Sequence, residues 1–419
     1  MKKLVMLSIL ALCVLSTSAF ATETRTLTLG QTNNVLLDEA NIWLYPSRIM
    51  DYPNLAIGEF GYDPDSDPIE SSSPADFTRF GVHFKIGRDN PWVLGAYFDN
   101  LPASEPENLF DDGNLVEFDT LFDDGWNNRR INLFYGNSLG NINFGARLGL
   151  LHSSVSADMT DNEAKEGFSY YDLTLGLTAP DGGWDVAGNI ALGSFTDDNE
   201  DGDAENEKDG FYDLSLQGRF FYQVNPSYTI IPHAGLAYSK RGIVNYTNDD
   251  DVDSEDYSIS TSRTGLQLGV GLNYTPATNV LAVADFGLGY NKVKEEFDTT
   301  DTYVTDPDLP EYTERNKTDV WLPYFKLGLD ADVFKWLDIR MGAVSIWNRQ
   351  SDETKLAEDV KYKANYADNS AYLGFGFHWG RFHVDAWTDP ELFLNGFNFL
   401  SGADSGEMNF QLSAVYEMM

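Results

Sequence analysis

Residues 264–290 read TGLQLGVGLNYTPATNVLAVADFGLGY. Thr264, Leu266, Leu268, Val270, Leu272 and Tyr274 hold the even positions, with Gly265, Gln267, Gly269, Gly271 and Asn273 between them. After a turn at 275–279, Val280, Ala282, Ala284, Phe286, Leu288 and Tyr290 repeat the pattern. A period of two sends successive side chains to opposite faces of a strand, so this is a hairpin with one oily face and one small or polar face. Which face meets water decides the fold. An oily face turned inward makes a soluble sandwich; turned outward, it makes a membrane barrel.

The same alternation recurs at 54–62, 77–88, 91–99, 129–137, 141–153, 168–179, 183–195, 210–223, 227–239, 259–275, 279–292, 318–333, 336–348, 369–379, 381–388 and 407–417. That is sixteen strands; without the first and fifteenth, whose patterns are the weakest, fourteen would remain. The connections alternate in length. Long gaps at 63–76, 100–128, 154–167, 196–209, 240–258, 293–317, 349–368 and 389–406 take turns with gaps of one to a few residues, such as SLG at 138–140 and Gly380. Greek-key sandwiches have no reason to alternate in this way. An up-and-down antiparallel transmembrane β-barrel does, with tight periplasmic turns and long outside loops.

Aromatic residues on the oily face agree. Trp92, Trp184, Tyr222, Tyr228, Tyr274 and Trp379 stand beside the short turns, and Phe98, Tyr171, Tyr212, Tyr238, Tyr290, Trp321 and Trp347 at the opposite strand ends. Two such rings around an aliphatic belt suit the two headgroup layers. On the other face lie Arg79, His83, Lys85, Asp99, Arg147, Asp172, Asp185, Arg219, Arg263, Asp285, Lys326, Asp330, Asp338, Arg340 and Asp385. So many charges would be prohibitive in a sandwich core, whereas a watery lumen accepts them as pore-lining residues.

The first residues, MKKLVMLSILALCVLSTSAFA, read as a secretory signal peptide over 1–21. Cys13 is the only cysteine and falls inside it, which leaves the mature chain without disulfides or thiolate sites. With 28 basic and 66 acidic residues the chain carries a formal charge of −38, and such a surface repels nucleic acid. The acidic residues concentrate in the long loops, Glu105 to Asp124 among them. The expected setting is the bacterial outer membrane, with the lipid bilayer and lipopolysaccharide as partners and a small-molecule solute in the lumen. A protein partner for the loops is a further expectation.

Three motifs bear on chemistry. Asp197, Asn199, Asp201, Asp203 and Glu205, with Gly202, match ligand positions of a Ca²⁺ loop within 197–209, although Lys208 stands where the bidentate glutamate belongs. A solvated acidic loop accounts for the same residues. His378 and His383 flank a two-residue turn at Gly380-Arg381 and face one another on the lumen side, with Asp385 on the same face. Together these could hold zinc, or simply form a polar mouth. Residues 136–140, GNSLG, match a nucleophile pattern that needs a strand-to-helix elbow, but a strand follows. No set of serine, histidine and acid converges, so no enzymatic activity is expected. In loop 100–128 the many apolar residues, from Leu109 to Trp126, point to a lid or an inward-folded constriction, and 389–400 repeats this on a smaller scale.

Residues 22–53 do not alternate. Gly30, Val35-Leu36-Leu37, Asp38-Glu39-Ala40 and Tyr45-Pro46-Ser47 resemble the segment before the first strand in the long-chain fatty-acid transporter superfamily of outer-membrane barrels. That resemblance implies a plug at the periplasmic end of the barrel, carried here by Asp38, Asn41, Trp43, Tyr45 and Pro46. Family members have fourteen strands where this chain shows sixteen, and the chain ends Tyr-Glu-Met-Met rather than on phenylalanine. The functional expectation is passive uptake of small molecules through a porin-like or plugged barrel. Its alternative is a non-transporting binding or assembly platform that acts through the acidic loops.

Overall fold

A computed structural model describes residues 22–62, 77–88, 91–100, 129–159, 162–199, 209–246, 257–299, 314–355, 360–388 and 410–418. The strands are β1 Leu55–Tyr62, β2 Phe77–Ile86, β3 Trp92–Asn100, β4 Arg129–Leu139, β5 Ile142–Met159 and β6 Asn162–Thr178. They continue with β7 Trp184–Asn199, β8 Asp209–Phe220, β9 Tyr222–Asn225, β10 Tyr228–Tyr246, β11 Tyr257–Ala277 and β12 Val280–Thr299. The last five are β13 Glu314–Phe334, β14 Leu337–Lys355, β15 Val360–Trp379, β16 Phe382–Thr388 and β17 Phe410–Glu417.

Apart from the break between β8 and β9, each strand pairs antiparallel with its neighbours in sequence, and β17 returns to β1, with Leu55 opposite Glu417 and Tyr62 opposite Phe410. The sheet therefore closes. β8 and β9 form one stave interrupted at Phe221, since both pair with β10. The barrel thus has the expected sixteen staves, and all sixteen alternating segments are strands. Closure leaves no edge to hydrogen-bond with lipid, the condition for a sheet to cross a bilayer.

The oily face is outside. Leu266, Leu268, Val270 and Leu272 are exposed, as are Leu173, Leu175, Leu177, Leu214, Leu216 and Phe286. No helix among the described residues is long and apolar enough to cross a membrane. Gly140 and Gly380, with φ of +63° and +67°, make the two-residue turns after β4 and β15; positive φ is what tight hairpins demand.

Two expectations are corrected. Trp321 does not join the outer aromatic ring: it is buried, and a Cβ on Gly289 would lie 2.0 Å from its ring. The β12–β13 register shifts between Gly287/Tyr324 and Gly289/Trp321, so two residues of β13, including Pro323, oppose one of β12. A bulge of this kind reverses the phase of everything beyond it. Several long gaps also prove to be ladder rather than loop. β5 and β6 pair as far as Met159↔Asn162, and β14 with β15 as far as Thr354↔Val360. In 162–167 and 349–355 nearly every residue is polar, as suits a strand standing in water, while 154–159 and 360–366 still alternate. Residues 100–128 and 389–400, apart from Asn100, and the signal-peptide segment lie outside the described residues.

Candidate functional site: the lumen and its N-terminal segment

Residues 22–54 run inside the ring of strands as α1 (Glu23–Thr28), α2 (Asn41–Leu44) and a 3₁₀ turn at Pro46–Met50. Thr22 caps α1, its hydroxyl accepting from the Arg25 N–H, and Gly30 ends the turn with φ +76°. The segment touches the wall in the half nearest the short turns. At Gly145 the backbone of Pro46 and Ser47 comes so close that a Cβ would stand 2.2 Å from it, and at Gly271 a Cβ would stand 2.1 Å from Val35. Inward glycines thus form grooves in which the segment seats; no larger residue fits there.

Three ionic clusters fix it. In the first, Arg79 of β2 binds Glu23 at 2.7 Å, Glu59 at 3.3 Å and Asp99 at 3.3 Å, and its guanidinium lies 3.8 Å from the Trp43 ring. Asp99 also takes Arg130 at 3.1 Å, and Asp172 takes Arg147 at 3.1 Å, while Arg147 donates to the Trp43 carbonyl at 3.3 Å. In the second, Asp185 of β7 holds Arg48 of the segment at 2.8 Å and Arg219 at 2.7 Å. Arg219 donates further to the Asn33 and Leu36 carbonyls and to Asn41 Oδ1, and stacks 4.5 Å from the Tyr45 ring. In the third, Asp330 of β13 binds Arg25 at 2.9 Å and Arg340 at 3.2 Å. Arg340 also reaches Asp338 at 3.1 Å and contacts Asp385, which accepts from the Thr22 hydroxyl at 2.9 Å. Pairing of this density offsets the desolvation cost of burying charge, a cost that one missing partner would expose.

Apolar contacts complete the seat. Ile42, Trp43 and Ile49 pack with Leu55, Ile57, Val93, Tyr97, Phe134 and Val415 of the wall, and Trp43 meets Tyr97 and Phe134 edge-on at 5.1 and 5.0 Å. A second cluster joins Leu29, Val35 and Leu36 to Ile231 and Val283. Burial pushes the Asp38 carboxyl up to about 6, against the pull of Arg25, 3.9 Å away, and Arg219.

Of the expected lumen residues, Arg79, His83, Asp99, Arg147, Asp172, Asp185, Arg219, Asp285, Asp330, Asp338, Arg340 and Asp385 are inward and buried. In this half of the barrel they pair with one another and with segment 22–54. His83 contacts the Tyr52 carbonyl and has Tyr97 Oη 2.6 Å from its Nδ1, and His233 pairs with Asp285 at 2.9 Å. Arg263 and Lys326 are half-buried; Arg263 donates to Asn291 at 2.8 Å and Lys326 to the Gln31 carbonyl at 3.2 Å. Lys85 is exposed near the short-turn end, where its backbone N–H donates to Asn54.

Asp38, Asn41, Trp43, Tyr45 and Pro46 are all buried in the segment. Sequence reasoning missed Arg25 and Arg48, the segment's own cations, although two arginines in a stretch assigned to a lumen of aspartates were a signal. It also missed Glu59, which strand parity alone places inward. Asp197 and Asn199 end β7, whereas Asp201, Asp203 and Glu205 lie outside the described residues. Ser138 sits at the β4 turn and donates to Asn143, as a turn serine does.

Comparison with known proteins follows this geometry. No curated protein matches. Among solved structures, CdiB from Escherichia coli is similar with a TM-score of 0.41 at 7% identity, over 87% of this chain and 63% of CdiB. This chain thus spans less than two thirds of that protein. The translocator domain of the autotransporter NalP from Neisseria meningitidis gives 0.31 at 13% identity, over 67% of this chain and 90% of that one. The Pseudomonas putida toluene transporter TodX gives 0.37 at 9% identity, over 96% and 100%. The family model for the autotransporter β-domain matches residues 131–343. This closed sixteen-stave barrel of the bacterial outer membrane belongs to the autotransporter β-domain family.

Proposed function

We propose that the protein is a gated barrel for passive uptake of small molecules, with residues 22–54 as the plug that closes its periplasmic half. One observation carries this reading: the segment is seated by ion pairs in glycine grooves, and these contacts are confined to the short-turn half of the lumen. Toward the other end the wall presents polar inward groups, among them Arg263, Asn291 and Asp319, as a vestibule for a solute. Sixteen staves enclose enough width for an aqueous path once the plug yields. Polar seats can reform after opening, which a large apolar interface would resist. The resemblance to fatty-acid transporters supports a plugged channel and leaves the chemistry of the solute to experiment.

Planar-bilayer recording tests this. The full chain should show low, flickering conductance, and a variant lacking 22–53 should show steady large steps. Zero conductance in both would overturn uptake.

A second reading, a platform for a protein partner, is favoured by the tall wall. β10–β15 run 19 to 21 residues. At about 3.3 Å per residue and a tilt of about 45°, such strands rise about 45 Å, well past an apolar band of about 25 Å. Capture of a partner that is lost when β11–β12 and β13–β14 are shortened at their far ends, in a chain that never conducts, would favour it.

A further inference from the structure

The outer face of the tall wall carries a repeat that an aromatic ring alone does not explain. On the ascending strands β10, β12 and β14 an outward aromatic is followed two residues later by a cation: Tyr238 and Lys240, Tyr290 and Lys292, Trp347 and Arg349. Each cation stands equally far from the first residue of its strand, Tyr228, Val280 and Leu337 respectively. At about 3.3 Å per residue and a tilt of about 45°, all three lie about 28 Å above the short turns, just past an apolar band of about 25 Å. At the same count the ascending strands β5 and β7 have Ser154 and Thr196, so the cations belong to one side of the ring. Lys240 and Arg349 are exposed and Lys292 is half-buried, and no ion pair among the described residues engages them. Farther from the belt, Lys294 and Lys361 are already taken by Glu296 and Glu353. Hydrogen-bonding side chains stand beside the free cations: Ser262 opposite Lys240, Thr264 and Thr318 opposite Lys292, and Asn365 opposite Arg349.

A groove in the lipid-facing wall ends directly beneath these cations. Gly188 of β7 lies on the outward face, between exposed Val186 and Ile190, and its strand neighbours are Leu175 and Leu216. Its missing side chain opens an apolar groove that runs up to Tyr238 and Thr264. Lys240 is the next outward residue above Tyr238, and Lys292 stands opposite Thr264. Groove and cations are therefore one surface, oily below and basic above, continuous with the membrane belt.

We propose that this surface binds the phosphorylated glycolipid of the outer leaflet, lipopolysaccharide. Its phosphates sit on Lys240, Lys292 and Arg349, and an acyl chain lies in the groove over Gly188. Charge complementarity selects the headgroup. In a chain of 66 acidic and 28 basic residues, a row of free cations at headgroup depth attracts phosphate, which the surrounding surface repels. Strands two apart are separated by about 10 Å, roughly the reach of a disaccharide with a phosphate at each end, so one headgroup spans two cations. Flanking hydroxyl and amide groups donate to the remaining phosphate oxygens. The site does not depend on whether the barrel conducts.

The test uses the full chain, delipidated in detergent, with chelator present so that no divalent ion bridges acidic residues to phosphate. Native mass spectrometry reads the retention of bisphosphorylated lipid A. The wild type should retain it, and less so as salt is raised. Lys240→Gln should weaken retention about fivefold, and the triple variant Lys240→Gln/Lys292→Gln/Arg349→Gln about 100-fold. Lys335→Gln makes the same charge change in the exposed turn at the opposite end and should leave retention unchanged. Gly188→Leu fills the groove without strain, since a Cβ there meets only the Ser215 carbonyl oxygen at 3.6 Å and Leu216 Cδ1 at 3.9 Å. It should weaken retention but keep its salt dependence, because the cations are untouched. Retention by the triple variant equal to that of the wild type overturns the site, as does equal retention of dephosphorylated lipid A, which would mark a neutral-lipid surface. A wild type that retains none overturns it too and leaves the row to a protein partner. Wild-type retention by Gly188→Leu overturns the part assigned to the groove.

Discussion

Along residues 264–274 of β11 the two faces alternate and obey different rules. Leu266, Leu268, Val270 and Leu272 point to lipid, where any apolar side chain of similar bulk is accepted. Gly265, Gln267, Gly269 and Gly271 point inward, where particular neighbours limit the side chain. Gly271 admits Val35 of the N-terminal segment, and Gly269 lies beneath His233 and Tyr324. The outer face needs only hydrophobicity, while the inner face needs shape and charge partners. Substitutions should therefore be read by face before they are read by residue type.

The largest effect should come from the inner face. Arg340→Ala leaves Asp330, Asp338 and Asp385 without their shared cation in a buried setting, a loss of about 3–5 kcal/mol. Urea unfolding of the reconstituted barrel should show it, together with increased protease access to segment 22–54. An effect no larger than that of an exposed ion pair would mean that the clusters are hydrated and the seat is loose.

Next in size is a charge placed on the outer face. Leu268→Arg, in the middle of the belt, should cost about 2–4 kcal/mol. Arginine at Gly271, inward on the same strand and against Val35, should fail in a different way, by expelling the segment rather than by opposing lipid. Equal unfolding curves with the segment still seated in both variants would erase the distinction between the faces.

A smaller effect concerns pH. The Asp38 carboxyl is held up at about 6 by burial, above its ordinary value of 3.8. The folded state therefore binds a proton more tightly than the unfolded chain does. Stability from this group is fully present below about pH 4 and declines as pH rises to about 6, by on the order of 2–3 kcal/mol. Asp38→Asn should flatten that decline. The smallest effect is expected at Lys85, whose exposed side chain should tolerate alanine within about 0.5 kcal/mol.

Much of this architecture was legible in the sequence because the lipid environment imposes a strict period. Sixteen staves follow from alternation, and the outward direction of the Leu266–Leu272 series from alternation together with the loop lengths, the aromatic rings and the charges on the opposite face. What alternation could not reveal was a change of phase. Pro323 supplies no ladder N–H, yet the sequence does not show that the strand bulges there rather than ends, so Trp321 was placed on the wrong face. The extensions of β6 and β14 (162–167 and 349–355) are polar at nearly every position and gave no amphipathic signal, whereas those of β5 (Val155, Ala157, Met159) and β15 (Val360, Tyr362, Ala364, Tyr366) do alternate in the sequence. At the site, the charged wall residues were visible one by one. Their pairing with the N-terminal segment was not, since Arg25 meets Asp330 of β13 and Thr22 meets Asp385 of β16, residues far apart in sequence. The N-terminal segment was recognisable by its lack of period, but its cations gained meaning only from the aspartates opposite them.

The most direct measurement exploits the absence of cysteine after Cys13. Val270→Cys and Gln267→Cys, made separately, are reconstituted in liposomes and challenged with a water-soluble and a membrane-soluble maleimide. Val270→Cys should react only with the membrane-soluble reagent, and Gln267→Cys only with the water-soluble one, which enters through the lumen. Labelling of Val270→Cys by the water-soluble reagent, or of Gln267→Cys by the membrane-soluble one, would contradict the assignment of the two faces.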